Sequence, residues 1–127
     1  MTRKEIRNFV ALAQESVSYT VEPKKEFHRQ GKRMLRRIAK LMGLAPGTYD
    51  IRSNMGGIAV SGEATLHGER IYIQLAQSCC GTDMGFMYRR CSGRTDYCGH
   101  TNHWMNWNTL LDEDKSIAAF LWVMLNG

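Results

Sequence analysis

Hydrophobic and polar positions change period along this chain, and the changes mark its elements. Thr2-x-x-Glu5 has the pattern of a capping box, and Ile6, Phe9, Val10 and Ala13 follow at helical spacing, which predicts a first helix over 3–15. Val17, Tyr19 and Val21 then alternate with small polar residues, as in an extended connector that stops at Pro23. A second helix is expected to begin there, with Phe27, Gly31, Met34, Leu35, Ile38, Leu41 and Met42 as its apolar stripe and Gly43 and Pro46 as its stop.

Beyond Gly47 the period falls to two. Tyr49, Ile51 and Ser53 form one face of a strand, and Asn54-Met55-Gly56-Gly57 is a turn. Ile58, Val60, Gly62, Ala64 and Leu66 continue the alternation. A two-residue turn at His67-Gly68 would pair Leu66 with Glu69, Ala64 with Ile71, Gly62 with Ile73 and Val60 with Leu75. That register puts the apolar side chains on one face and Glu63, Thr65, Arg70, Tyr72 and Gln74 on the other. A turn at 79–83 leads to a fourth strand over Phe86–Cys91, then an ordered loop over 92–108. Asp112-Glu113-Asp114 suits a helix N-terminus, and Ile117, Phe120, Leu121, Met124 and Leu125 give the last helix an expected buried face. The reading is a single-domain α+β fold with two N-terminal helices, a four-stranded antiparallel sheet and a C-terminal helix.

Composition narrows the class. With 127 residues, 43% hydrophobic and 23% charged, the chain suits one folded domain rather than a disordered segment. The start lacks an apolar signal region and the longest apolar run, Ile117–Leu125, is about half a membrane span, so a cytoplasmic protein is expected.

Charge adds more. Residues 1–40 hold eleven cations and four acids, net +7, whereas the rest is net −2. Eight of the cations fall on the second predicted helix: Lys24, Lys25, Arg29, Lys32, Arg33, Arg36, Arg37 and Lys40, with Glu26 alone opposing them. Lys25, Arg29, Lys32, Arg36 and Lys40 share a ridge, an arrangement suited to a phosphate backbone or another anionic partner. A solvated helix face is the plainer alternative, although such faces usually mix signs.

Two further clusters deserve weighing. Cys79, Cys80, Cys91, Cys98, His100 and His103 offer zinc-type ligands, yet no paired C-x2-C knuckle is present, so no metal or other cofactor is expected. A disulfide such as Cys80–Cys91 is disfavoured in the expected compartment. Arg89, Arg90, Arg94, Tyr97 and Trp104 lie in a segment that mixes cations with rings able to stack on unpaired bases. His100 and His103 beside Arg94 would allow metal-independent cleavage of RNA as an alternative function. Trp104 and Trp107 could equally be core pieces that pin the loop.

The run DIRSNMGGIAVSGEATLH from Asp50 to His67 and the run YRRCSGRTDY from Tyr88 to Tyr97 resemble a group of small uncharacterised proteins carried by bacterial phages and plasmids. Where this chain has Cys98-Gly99-His100, the group's pattern has small residues. The resemblance implies a mobile-element setting, in which small proteins often act against host defences such as CRISPR systems. It brings no catalytic residues. The expected function is therefore a non-enzymatic protein that engages nucleic acid or a host nucleoprotein complex through its basic helix and adjoining loop. A nuclease and a module for an acidic protein partner are the alternatives.

Overall fold

The structure, a computed structural model, describes residues 1–15, 21–56, 62–77 and 85–127. Helix α1 spans Arg3–Ala13 and α2 spans Val21–Leu41; strands β1 (Asp50–Asn54), β2 (Glu63–His67), β3 (Ile71–Leu75), β4 (Phe86–Arg90) and β5 (His103–Met105) follow. A 3-10 turn over Trp107–Leu111 leads into α3, Glu113–Asn126. The fold is α+β, as expected, but the antiparallel sheet has five strands in the order β1-β2-β3-β4-β5. Each strand pairs with its neighbour in sequence, which makes the sheet a meander.

Local chemistry explains the helix ends. Thr2 and Glu5 close both halves of the capping box on α1. In α2, Pro23 lies in the first turn, where its missing N–H costs no helical bond. At the other end Gly43 takes a positive φ of 74°, and the Leu44 amide reaches back to the Ala39 carbonyl at 3.0 Å, a Schellman closure. The Asp112 side chain caps α3 by accepting from the Lys115 amide.

Helices α2 and α3 cover one face of the sheet, α2 across β1 and β2, α3 across β3 and β4. Gly31 lets α2 approach β2 closely: a Cβ there would meet the Ala64 Cβ at 3.3 Å. Helix α1 packs on α2 and on the 3-10 turn. Where these elements meet, Phe9, Phe27, Phe86 and Phe120 gather around or beside Trp107, which is 1% exposed, with the Phe86–Trp107 ring centroids 5.0 Å apart. Trp107 is thus the core piece that anchors the segment after β5.

Several expectations need correction. The β2–β3 hairpin turns at Glu69-Arg70, closed by the Gly68 amide donating to the Ile71 carbonyl at 2.8 Å. Ala64 therefore pairs with Leu75, Leu66 with Ile73 and His67 with Tyr72, four residues out of step with the expected register. An even slip preserves side-chain parity, so the predicted faces survive: Ala64, Leu66, Ile71, Ile73 and Leu75 are buried beneath the helices. Val60 and the rest of 57–61 lie outside the described residues, as do residues 16–20 of the expected connector and the 79–83 turn; Val21 and Glu22, expected to be extended, instead open α2 two residues ahead of Pro23.

The expected 92–108 loop contains β5 and the start of the 3-10 turn, so the four-strand count was one short. Strand β5 is three residues long and ends against Gly85. A Cβ on Gly85 would lie 1.8 Å from the Met105 carbonyl oxygen, and its φ is +76°. On α3 the buried positions are Ser116, Phe120 and Val123, while Leu121 and Leu125 are exposed. Leu41 of α2 is exposed too. No helix among the described residues is long and apolar enough to cross a membrane.

Candidate anion-binding surfaces

Helical geometry places Lys25, Arg29, Lys32, Arg36 and Lys40 within an arc of about 80°, over a length of about 22 Å. All five turn away from the sheet and are exposed or half-exposed. The acids present do not neutralise this ridge evenly. Glu26 takes Arg29, whose Nε donates to it at 3.0 Å. Arg33 reaches Glu5 of α1 at 2.8 Å, and the Arg37 Nε donates to Glu113 of α3 at 2.6 Å. These last two pairs sit on the flank of α2 and fasten it to its neighbours. The Thr2 backbone amide and then the Arg33 guanidinium hold the Glu5 carboxyl at about 2. Arg37 likewise lowers the Glu113 carboxyl from its ordinary range.

Among the described residues Lys25, Lys32, Arg36 and Lys40 have no acidic partner. Toward the C-terminal end of α2, Arg33, Arg36, Arg37 and Lys40 line an open depression of about 390 Å³ beside Met1, without an acid in its wall.

The second predicted cluster lies across the sheet. Strand parity puts Arg52, Thr65, Gln74, Met87 and Trp104 in one row on the face without helices, and Asp50, His67, Tyr72 and Arg89 in the next. The segment after β4 folds over this face. Asp96 holds it by accepting from the Ser92 and Cys98 amides at 2.8 and 3.1 Å, bonds that lower its carboxyl pKa. His67 Nε2 donates to the Gly93 carbonyl at 2.8 Å, and burial depresses the His67 pKa.

Most side chains here are tied to one another. Arg94 donates to both carboxylate oxygens of Asp50, at 3.0 and 2.7 Å, and to the Gly47 carbonyl at 2.8 Å. Arg52 bridges Asp50 and the Tyr97 hydroxyl, at 3.2 and 2.9 Å. The rings of His67, Tyr72 and Tyr97 meet edge to face. Tyr97 nonetheless remains 60% exposed and Trp104 55% exposed. Arg89 is buried with its guanidinium 5.0 Å from the Tyr72 ring centroid. Arg90, opposite Ile71, belongs to the helix-covered face.

The predicted residues therefore fall into two groups separated by the sheet. Lys25, Arg29, Lys32, Arg33, Arg36, Arg37 and Lys40 stand on α2; Arg89, Arg94, Tyr97 and Trp104 stand on the opposite side. His100 and His103 are also divided. His100 Nε2 lies 2.9 Å from the Ser92 hydroxyl in the covering loop, whereas His103 pairs with Tyr88 and meets Trp122 of α3. Cys91 is buried and free, with its thiol donating to the Gly68 carbonyl, and Cys98 is exposed and free. Among the described residues no three His, Cys, Asp or Glu side chains group as a metal site; Cys79 and Cys80 lie outside them.

Sequence reading overlooked Arg52 and Asp50, which organise the Tyr97 loop. Their charge and alternation with Ile51 were visible, but the partners that define them are 44 and 45 residues away.

These features define an α+β protein with a five-stranded antiparallel meander, helices on one face and a polar aromatic loop on the other. No protein-family model, curated protein or solved structure matches the chain.

Proposed function

We propose that this is a binding protein whose α2 ridge docks on the phosphate backbone of a nucleic acid, free or within a host nucleoprotein complex. One observation carries the reading: among the described residues Lys25, Lys32, Arg36 and Lys40 form a stripe without acidic partners, while Glu26, Glu5 and Glu113 are bound to other cations of the helix. Like charges four residues apart, such as Lys32, Arg36 and Lys40, cost a helix about 0.2–0.5 kcal/mol per pair. A polyanion reverses that penalty and gains from counterion release. Contacts of this type give affinity and salt sensitivity with little sequence selection.

The setting implied by the resemblance to phage and plasmid proteins fits such a binder, which would obstruct a defence complex by occupying its nucleic acid. The nuclease reading has less support, because His100 and His103 do not converge.

The triple variant K32Q/R36Q/K40Q tests the proposal in titrations of labelled DNA and RNA across a salt series. The slope of log affinity against log salt is expected to become shallower by about 2–3 units, with similar weakening on every sequence. Unchanged affinity and slope would overturn the reading. Salt-sensitive capture of an acidic protein without nucleic-acid binding would replace it with the protein-partner alternative.

A further inference from the structure

We propose that the cavity between the covering loop and the uncovered face of β3 and β4 binds a phosphomonoester whose molecule also carries a planar ring, as a nucleotide carries a sugar-linked phosphate and a base. The cavity, about 270 Å³, is lined chiefly by Tyr72, Gln74, Arg89, Tyr97, His100 and Asn102. Arg89 makes the case. It is 3% exposed, and among the described residues it has neither an ion-pair partner nor a hydrogen-bond acceptor. The Tyr72 ring attracts its charge but accepts none of its five N–H donors in the way an oxygen would. Asp96, the acid that feels Arg89 electrostatically, already receives the Ser92 and Cys98 amides on its two oxygens.

The Arg89 donors are not sealed in the core but open to the cavity, where an oxyanion can accept two parallel N–H bonds from the guanidinium. The wall supplies more donors. Gln74 Oε1 is occupied by the Tyr72 hydroxyl at 3.1 Å, which leaves the Gln74 amide nitrogen for a ligand. The volume is below the roughly 300–1,000 Å³ of pockets that engulf a drug-sized molecule, so the phosphate enters and the ring stays at the mouth. There Tyr97 offers an exposed ring fixed by Arg52 and by its edge contacts with His67 and Tyr72. Such a pre-positioned aromatic suits base stacking.

This site is separate from the α2 ridge, and the experiment keeps the two apart. The full chain is titrated calorimetrically with inorganic phosphate, with nucleoside 5′-monophosphates and with the corresponding nucleosides. Monophosphates are expected to bind at least tenfold more tightly than nucleosides. R89Q should weaken monophosphate binding at least tenfold, and Y97A should weaken it several-fold while leaving inorganic phosphate unchanged. K32Q/R36Q/K40Q should leave both unchanged. If R89Q fails to fold, Y97A and Q74A, at less buried positions, decide the matter alone. Competition by 5′-phosphorylated but not 5′-hydroxyl oligonucleotides would place the ligand at a strand end; its lack would make the ligand a free nucleotide. The site is refuted if neither phosphate nor monophosphate binds saturably, if R89Q and Y97A bind like wild type, or if the ridge variant abolishes binding.

Discussion

On α2, Lys32, Arg36 and Lys40 have no acidic partner among the described residues, whereas across the sheet Arg94 and Arg52 are locked to Asp50 and Arg89 lies under a loop. Both regions drew attention as clusters of positive charge, yet they differ physically. The ridge is made by one helix and exists wherever that helix forms. The opposite surface is made by five strands and a loop, and its cations are as much structural ties as binding groups. Charge density in sequence therefore reports an available surface on α2 but an assembled network beyond the sheet.

The sheet that separates the two regions offers the largest perturbation. Leu66 is fully buried, and L66D places an unpaired carboxylate in the core at a cost of several kcal/mol, comparable to total stability. Both surfaces should vanish together, with loss of the cooperative urea transition followed by circular dichroism. A smaller change should act on one side. G31L drives a side chain into Ala64, already 3.3 Å from where a Cβ would lie, and should destabilise by about 1–3 kcal/mol. It should disturb the ridge more than the loop, as amide hydrogen exchange would reveal.

Next comes a direct contrast of cations. R94Q removes charge-assisted bonds to a half-exposed Asp50 and should lower the midpoint of denaturant unfolding measurably. R36Q, which breaks no tie, should stay within about 0.5 kcal/mol. Equal losses would erase the distinction between network and ridge.

The smallest effects lie in pH dependence. Burial depresses the His67 pKa below its ordinary 6.5, so the unfolded chain takes up that proton first and stability declines as pH falls below 6.5. A second decline should span roughly 4.5 down to about 2, where Glu5 is protonated in the unfolded chain before the folded one. Urea midpoints measured across pH should lose the first step in H67Q and the second should shrink in E5Q.

Much of the helical half was legible because its signals are local. Thr2 and Glu5 announced α1, and the stripe from Phe27 to Ile38 announced the buried side of α2. On α3 the same reasoning misplaced the buried face. Residues 117–125 are apolar nearly all round, so Leu121 and Leu125 could not be told from Phe120 and Val123 by periodicity. The hairpin shows a related limit. Alternation fixes parity, and parity is identical for registers four residues apart, so the turn chemistry had to decide and Gly68 drew it two residues too early. Strand β5 was missed because His103-Trp104-Met105 is too short to show a period. The candidate sites followed the same division: the ridge could be read from spacing, while the Arg52–Asp50–Arg94 network needed partners brought from distant sequence.

The docking of α1 has a consequence for synthesis. Arg3 donates to the Leu111 carbonyl across 108 positions, and Phe9 rests on Trp107, while every strand pairs only with its immediate successor. As the chain leaves the ribosome, the meander can close hairpin by hairpin at low loop-closure cost. Helix α1 meets α2 and its Phe27 ring early, but the Trp107 side of the surface that buries it is made only after all five strands. Ribosome-bound chains halted before Trp107 would consequently leave part of that amphipathic face uncovered, which makes them natural clients for chaperones and early targets for proteases.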